Sequence, residues 1–118
     1  MSKIFNLEDR TADFGAKIIE FSKKIPKNPT NISLISQIVR SGTSVGANYL
    51  EADDSESKKD FIHKMSISRK ESREVKHWLR MIAVAEPSLK DNARELWKEA
   101  QELNLIFSSI INKKKNTK

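Results

Sequence analysis

The chain carries few residues with the chemistry of a catalyst. Its two histidines, His63 and His77, are fourteen residues apart in one helical segment, about 21 Å along the axis. That is too far for them to share a metal ion within the chain. Asp53, Asp54 and Glu56 cluster, but without the glycine and ligand spacing of a calcium loop, so a solvated corner between helices is the stronger reading. The absence of cysteine excludes disulfides, thiolate zinc sites and cysteine nucleophiles. Ser41 and Ser44 lie beside Arg40, yet no histidine is placed to activate either serine. No phosphate-binding glycine loop, dinucleotide fingerprint, zinc-protease helix or nucleophile elbow occurs. Neither a catalytic residue nor a cofactor or metal site is expected.

Two charged constellations remain. Gln37, Arg40, Ser44, Asn48 and Glu51 share a flank of one helical segment, and Glu71 and Glu74 occupy a similar flank of the next. If these flanks meet, Arg40 can pair with a glutamate, giving an inter-helix or intersubunit polar network. Such a network fixes register more than it adds stability. Catalytic use of Arg40, Glu51 and Glu71 is the lesser alternative and requires an open pocket at those residues. The second constellation is a stripe of Lys59, His63, Lys70, Arg73, His77 and Arg80, with Ser66 filling its one gap. It lies about 200° around the helix from the apolar positions and therefore faces outward. A ridge of this kind can neutralise several phosphates and release their counterions. An ordinary solvated face is the reading that the residues alone favour, because Glu71 and Glu74 nearby weaken the field. Lys113, Lys114 and Lys115 add a second basic group near the C-terminus. Aromatic residues make up only 7% of the chain and none interrupts the stripe, so base stacking is not expected.

The elements that position these groups follow from composition and periodicity. A length of 118 residues implies one domain. Only 3 Gly and 3 Pro argue against a turn-rich sandwich or barrel. No apolar run approaches the roughly 18 residues of a membrane span, and no signal-peptide core opens the chain, so the expected compartment is the cytoplasm. Apolar positions repeat at three and four in four segments. The first, from about Leu7 to Lys24, aligns Leu7, Thr11, Phe14, Ile18, Phe21 and Ile25, with Asn6 as N-cap and Asp9 at N3. It stops before Pro26. The second, capped by Thr30 or Asn31, runs to about Ala52 along Leu34 or Ile35, Ile38, Gly42, Val45, Tyr49 and Ala52. Gly42 and Gly46 suit a close approach between helices, a helix break being the competing reading. The third starts at Ser57, with Asp60 three residues on, and runs to about Ala85 along Phe61, Met65, Ser68, Ser72, Val75, Leu79 and Ile82. Its two central serines imply a tight, partly polar middle. The fourth, capped by Ser88, aligns Leu89, Ala93, Leu96, Ala100, Leu103, Phe107 and Ile110, widened by Trp97, Ile106 and Ile111. Short loops between amphipathic helices make antiparallel neighbours. The fold class is therefore all-α, an antiparallel up-down-up-down four-helix bundle over residues 1–112, with a disordered basic tail over 113–118.

The formal charge of +6 is unevenly spread. Residues 1–30 carry a net +2, residues 31–57 a net −3, residues 58–86 a net +4 and residues 87–118 a net +3.

The run Gln37-Ile38-Val39-Arg40-Ser41-Gly42-Thr43-Ser44-Val45-Gly46-Ala47-Asn48-Tyr49-Leu50-Glu51-Ala52 resembles the signature of a bacterial four-helix-bundle family. Its namesakes are proteins encoded within intervening sequences of 23S rRNA genes. The stretches Ser57 to Phe61 and Lys70-Glu71-Ser72-Arg73-Glu74, followed by Trp78-Leu79, are similar to that family's third helix. Phe14, Ile18 and Ile25-Pro26 also fit, so the resemblance covers roughly residues 5–110. Some relatives carry a proline where Gly46 stands. The resemblance implies a small bundle similar to the accessory protein of diversity-generating retroelements, whose relatives form homopentamer rings and are thought to bind nucleic acid together with a reverse transcriptase. It implies no enzymatic activity and supplies no residue-level binding motif.

The expected function is that of a non-catalytic homo-oligomer, a pentamer by resemblance, binding RNA or DNA without sequence specificity through its phosphates. Lys59, Lys70, Arg73 and Arg80, helped by Lys113, Lys114 and Lys115, would make the contacts. The alternative is a self-assembling scaffold for a protein partner, with no nucleic-acid role.

Overall fold

A computed structural model, which describes residues 6–117, folds into four helices: α1 (Leu7–Lys23), α2 (Pro29–Asp53), α3 (Lys58–Ala85) and α4 (Lys90–Lys115). A single 3₁₀ turn, Pro87–Leu89, joins α3 to α4. Consecutive helices pack against one another and α4 closes back on α1. The described residues contain no strand, and none of their helices is long and apolar enough to cross a membrane.

The apolar stripes meet along the axis. Leu7, Phe14, Ile18, Phe21 and Ile25 are buried with Ile38, Val45 and Ala52 of α2, Met65, Val75, Leu79 and Ile82 of α3, and Ala93, Leu96, Ala100, Leu103, Phe107 and Ile111 of α4. The middle of α3 is polar but satisfied. The buried Ser68 hydroxyl donates to the Val45 carbonyl across the α2–α3 seam at 2.9 Å. Ser72 accepts from Asn104 Nδ2 of α4 at 3.0 Å while donating to the Arg69 carbonyl at 2.7 Å.

Three helix starts show how short-range chemistry sets the boundaries. Asn6 Oδ1 accepts from the Asp9 amide at 3.1 Å, and Asn6 Nδ2 donates back to Asp9 Oδ2 at 2.8 Å. Ser57 Oγ accepts from the Asp60 amide at 3.0 Å. The start of α2 differs from the expected Thr30 or Asn31. Asn28 is the cap, its Oδ1 accepting from the Asn31 amide at 2.8 Å, with Pro29 in the first turn, where a missing N–H costs nothing. Asn31, 1% exposed, instead donates to the Pro26 carbonyl at 2.9 Å and to Glu86 Oε2 at 3.0 Å. It thereby ties the α1–α2 loop to the corner after α3. Ser88 caps nothing, because the 3₁₀ turn delays α4 until Lys90, whose cap position has no side-chain hydrogen bond.

The C-terminal end is a second correction. The expected disordered tail from residue 113 is helical through Lys115. Lysines suit the negative end of the helix dipole, Lys114 Nζ lies 5.0 Å from the centre of the Phe61 ring, and Lys58 donates to the Thr117 carbonyl.

Across Gly42 and Gly46, α2 runs unbroken, and neither glycine has a positive φ. Their role is proximity. A Cβ on Gly42 would come within 2.8 Å of the Ile18 side chain, and one on Gly46 within 3.1 Å of Thr11 Oγ1. On the other side, Gly15 would place a Cβ no closer than 3.7 Å to α2. In a helix, Gly to Ala gains about 1 kcal/mol of propensity, whereas overpacking a core costs about 1–3 kcal/mol. Gly15→Ala is therefore expected to raise the urea midpoint, and Gly42→Ala to lower it, with a net loss of about 1 kcal/mol in unfolding free energy. Equal shifts for the two variants would contradict the close approach at Gly42.

Candidate nucleic-acid interface

The α3 stripe emerges as an outer ridge. Lys59, His63, Lys70, Arg73, His77 and Arg80 are all exposed, and Ser66 is half-buried among them. Among the described residues, none of Lys59, Lys70, Arg73 and Arg80 forms an ion pair. Ser66, Arg69, Lys70, Arg73 and His77 line a shallow depression with Glu74 and Trp78. The His77 and Trp78 rings meet edge to face at 4.9 Å.

The glutamates beside this ridge, Glu71 and Glu74, are both engaged by an arginine of α2. Arg40 of α2 places Nη1 3.3 Å and 3.2 Å from the two Glu71 carboxylate oxygens and Nη2 2.5 Å from Glu74 Oε1. The side chain of Glu71 is only 9% exposed, that of Arg40 48%. Burial works against the Arg40 charge, but the hydrogen bond to Glu74 and the charge of Glu71 outweigh it and raise the guanidinium pKa. The rest of the expected network does not join this pair. Asn48 Nδ2 donates to the Ser44 carbonyl within α2 at 2.9 Å. Glu51 lies eleven residues from Arg40, about 16 Å along the helix, and pairs with Lys64 at 2.7 Å. Arg40, Glu51 and Glu71 therefore share no pocket. The acidic corner of Asp54, Glu56 and Asp60 surrounds the Glu51–Lys64 pair. No group of three or more His, Asp or Glu among the described residues is placed to hold a metal.

A parallel arrangement on α4 was not apparent from periodicity. Arg10 of α1 grips Glu99 with two parallel bonds, Nε to Oε2 at 2.8 Å and Nη2 to Oε1 at 2.9 Å, and reaches Glu102 at 3.3 Å. The hydrogen bond that Arg10 donates to Glu99 is the main cause that raises the Arg10 pKa against the cost of burial. With Glu99 and Glu102 drawn to the α1 side, Lys90, Arg94 and Lys98 of α4 lie beside Arg80 of α3, around a groove floored by Leu79, Ala83, Ala93 and Trp97. Lys98 is also 3.3 Å from Glu95. These α4 cations extend the ridge across the α3–α4 seam. A helical-wheel comparison of α4 alone could have separated them from Glu95, Glu99 and Glu102, but not shown which helix they would face. Of the C-terminal lysines, Lys113 and Lys115 are exposed and Lys114 is half-buried.

The sequence profile of the 23S rRNA-intervening sequence proteins matches residues 5–109. The chain belongs to that family. A crystal structure from Bacteroides thetaiotaomicron VPI-5482, of a protein with unknown function from the S23 ribosomal protein family, superposes with a TM-score of 0.84 at 31% identity. The match covers 94% of this chain and 99% of the other. No curated protein matches the chain significantly. Membership of the 23S rRNA-intervening sequence family fits the four-helix architecture and names an RNA context. The assignment of the ridge rests on its own geometry.

Removing Arg40 tests whether the Glu71 carboxylate depends on it. A buried charge left unpaired costs several kcal/mol, but the half-exposed guanidinium limits its worth. Arg40→Ala is expected to cost about 1–2 kcal/mol in chemical denaturation, most of it recovered in Arg40→Ala/Glu71→Gln. Additive losses in the two single variants would contradict the coupling.

Proposed function

We propose that this 23S rRNA-intervening sequence protein is a non-catalytic, self-assembling bundle that binds RNA or DNA through the sugar-phosphate backbone without base specificity. The observation that supports this reading is the separation of charge on α3. Lys59, Lys70, Arg73 and Arg80 stay exposed and free of ion pairs while Glu71 and Glu74 are engaged by Arg40. The field expected to be weakened by those glutamates is thus less weakened than sequence spacing implies. Lys90 and Arg94 add to the same side. A backbone contact needs only positive groups at helical spacing, each releasing counterions when it meets a phosphate.

A second reading, an assembling scaffold for a protein partner such as a reverse transcriptase, draws support from the opposite side of the bundle. Ile19 and Leu50 are exposed there beside Ala12, Ala16 and Ala47 in a shallow α1–α2 groove. That surface suits contacts between copies under either reading, and the resemblance favours a pentamer.

Charge reversal separates the two. In Lys70→Glu/Arg73→Glu, anisotropy titration with labelled RNA is expected to show roughly tenfold or greater loss of affinity. For the native chain, affinity should fall with salt with a log–log slope of about −0.7 to −0.9 per phosphate neutralised. Unchanged retention by the reversed variant, or binding that ignores salt, would transfer the function to the scaffold reading. Mass in solution with and without RNA reports assembly in the same samples.

A further inference from the structure

The groove between the C-terminal half of α3 and the N-terminal half of α4 has a volume of about 600 Å³, within the usual range of ligand sites. Two alanines, Ala83 of α3 and Ala93 of α4, are among the residues that line it. Its floor is apolar and its lining includes the indole of Trp97. Lys76, outside the lining, lies 5.2 Å from the centre of that ring and is itself held 2.5 Å from Gln101 Oε1, a cation–π contact that needs no ligand. Arg80, Lys90, Arg94 and Lys98 complete the lining, which contains no carboxylate.

We infer that this groove accepts an unpaired nucleobase against Trp97 while Arg80, Lys90, Arg94 and Lys98 hold the phosphates on either side of it. The site therefore selects single-stranded over double-stranded nucleic acid. The inference rests on the backbone-binding reading of α3 and adds to it a stacking contact in the α3–α4 groove. An aromatic wall with a cationic rim is the combination that binds single strands without sequence preference, since every base has a π-face. A short acidic peptide would satisfy the rim equally well. The course of the cations favours a polymer: Arg80 belongs to both groove and stripe, and the stripe continues through Lys59, twenty-one residues away, a further ~32 Å. A duplex keeps its bases stacked and could use only the cations.

The test uses the full chain with Trp78→Phe, which leaves Trp97 as the sole indole of the 2 present. Three probes of equal length are titrated at one low salt concentration: an oligouridine, an abasic phosphodiester strand and an RNA duplex. Oligouridine is expected to quench Trp97 emission and the abasic strand to leave it unchanged. Trp97→Leu should weaken oligouridine binding roughly tenfold, with abasic and duplex binding retained. Ala83→Leu, which fills the groove with Trp97 in place, should do the same and keeps the test decisive if Trp97→Leu fails to fold by circular dichroism. Equal quenching by oligouridine and the abasic strand, or full oligouridine affinity in Ala83→Leu, would overturn the base pocket while leaving backbone binding intact. Failure of all three probes to bind would overturn both readings. Quenching of Trp97 by a tryptophan-free oligoglutamate peptide, with none by oligouridine, would assign the groove to an acidic protein segment instead.

Discussion

Two arginines reaching across helix seams decide where the charge of this protein is displayed. Arg10 of α1 takes up Glu99 and Glu102 of α4, and Arg40 of α2 takes up Glu71 and Glu74 of α3. In each case a cation from the first half of the chain engages acids of the second half on the side away from the α3–α4 seam. What remains is Arg80, Lys90 and Arg94 at that seam and the rest of the α3 stripe on the outer face. Pairing thus leaves Arg80, Lys90 and Arg94 together at the α3–α4 groove without a carboxylate in its lining, which composition alone would not show. Without those pairs, acids and bases would alternate around both helices and the field would largely cancel within a Debye length of about 10 Å.

The arginine pairs depend in turn on how closely the helices approach. Glycines 42 and 46 bring α2 onto Ile18 and Thr11 of α1, and a larger residue at either position would push α2 outward. The rotation of α2 that buries Gly42 against α1 directs Arg40 toward α3, because the two lie 160° apart on a helix of 100° per residue. The energetics rank these contributions. Partly exposed ion pairs are worth little or nothing net, whereas each fully buried Phe, Leu or Ile contributes about 1.5–3 kcal/mol, and Phe14, Phe21, Phe107, Ile18 and Ile38 are all buried to 1% exposure or less. Hydrophobic burial therefore holds the bundle together, and the arginine pairs select register and surface charge.

The parts of this design that were legible in the sequence are those set by one helix at a time. The apolar stripes of α1, α3 and α4, the Asn6 and Ser57 caps and the outward direction of the α3 cations all follow from positions three and four apart; the Arg40–glutamate pair needs the further condition that two flanks meet. The misreadings share a different origin. Asn31 looked like a cap because it follows a proline loop; its amide is instead drawn inward by Pro26 and by Glu86, fifty-five residues later. Glu51 shares a flank with Arg40, but its height on the helix matches Lys64 rather than Glu71. The basic C-terminus suggests a tail because it is a run of like charges; the neighbour that engages Lys114 is Phe61 of α3. Trp97 likewise widened the stripe of α4 without disclosing that Ala83 and Arg80 would stand across from it. Periodicity fixes direction around one helix axis. It does not fix the height and rotation at which a second helix meets it.

That distinction bears on how strongly a single copy can hold a polyanion. A helical ridge offers about one positive group per 5.4 Å turn, while duplex DNA presents one negative charge per about 1.7 Å of its axis. One α3 ridge therefore neutralises only a minority of the phosphates it runs beside, and the affinity of one chain on the proposed reading is modest and sensitive to salt. Two routes can raise it without changing the ridge. Joining copies turns several weak contacts into one multivalent contact, with a gain set by the geometry of the assembly rather than by any new residue. Adding a stacking contact beside the cations gains energy that salt screens poorly, because it does not come from charge. The bundle has the physical ingredients for both, the α1–α2 surface with exposed Ile19 and Leu50 for the first and the Trp97 groove for the second. Lying on opposite sides of the molecule, they can operate together, so that assembly need not close the groove.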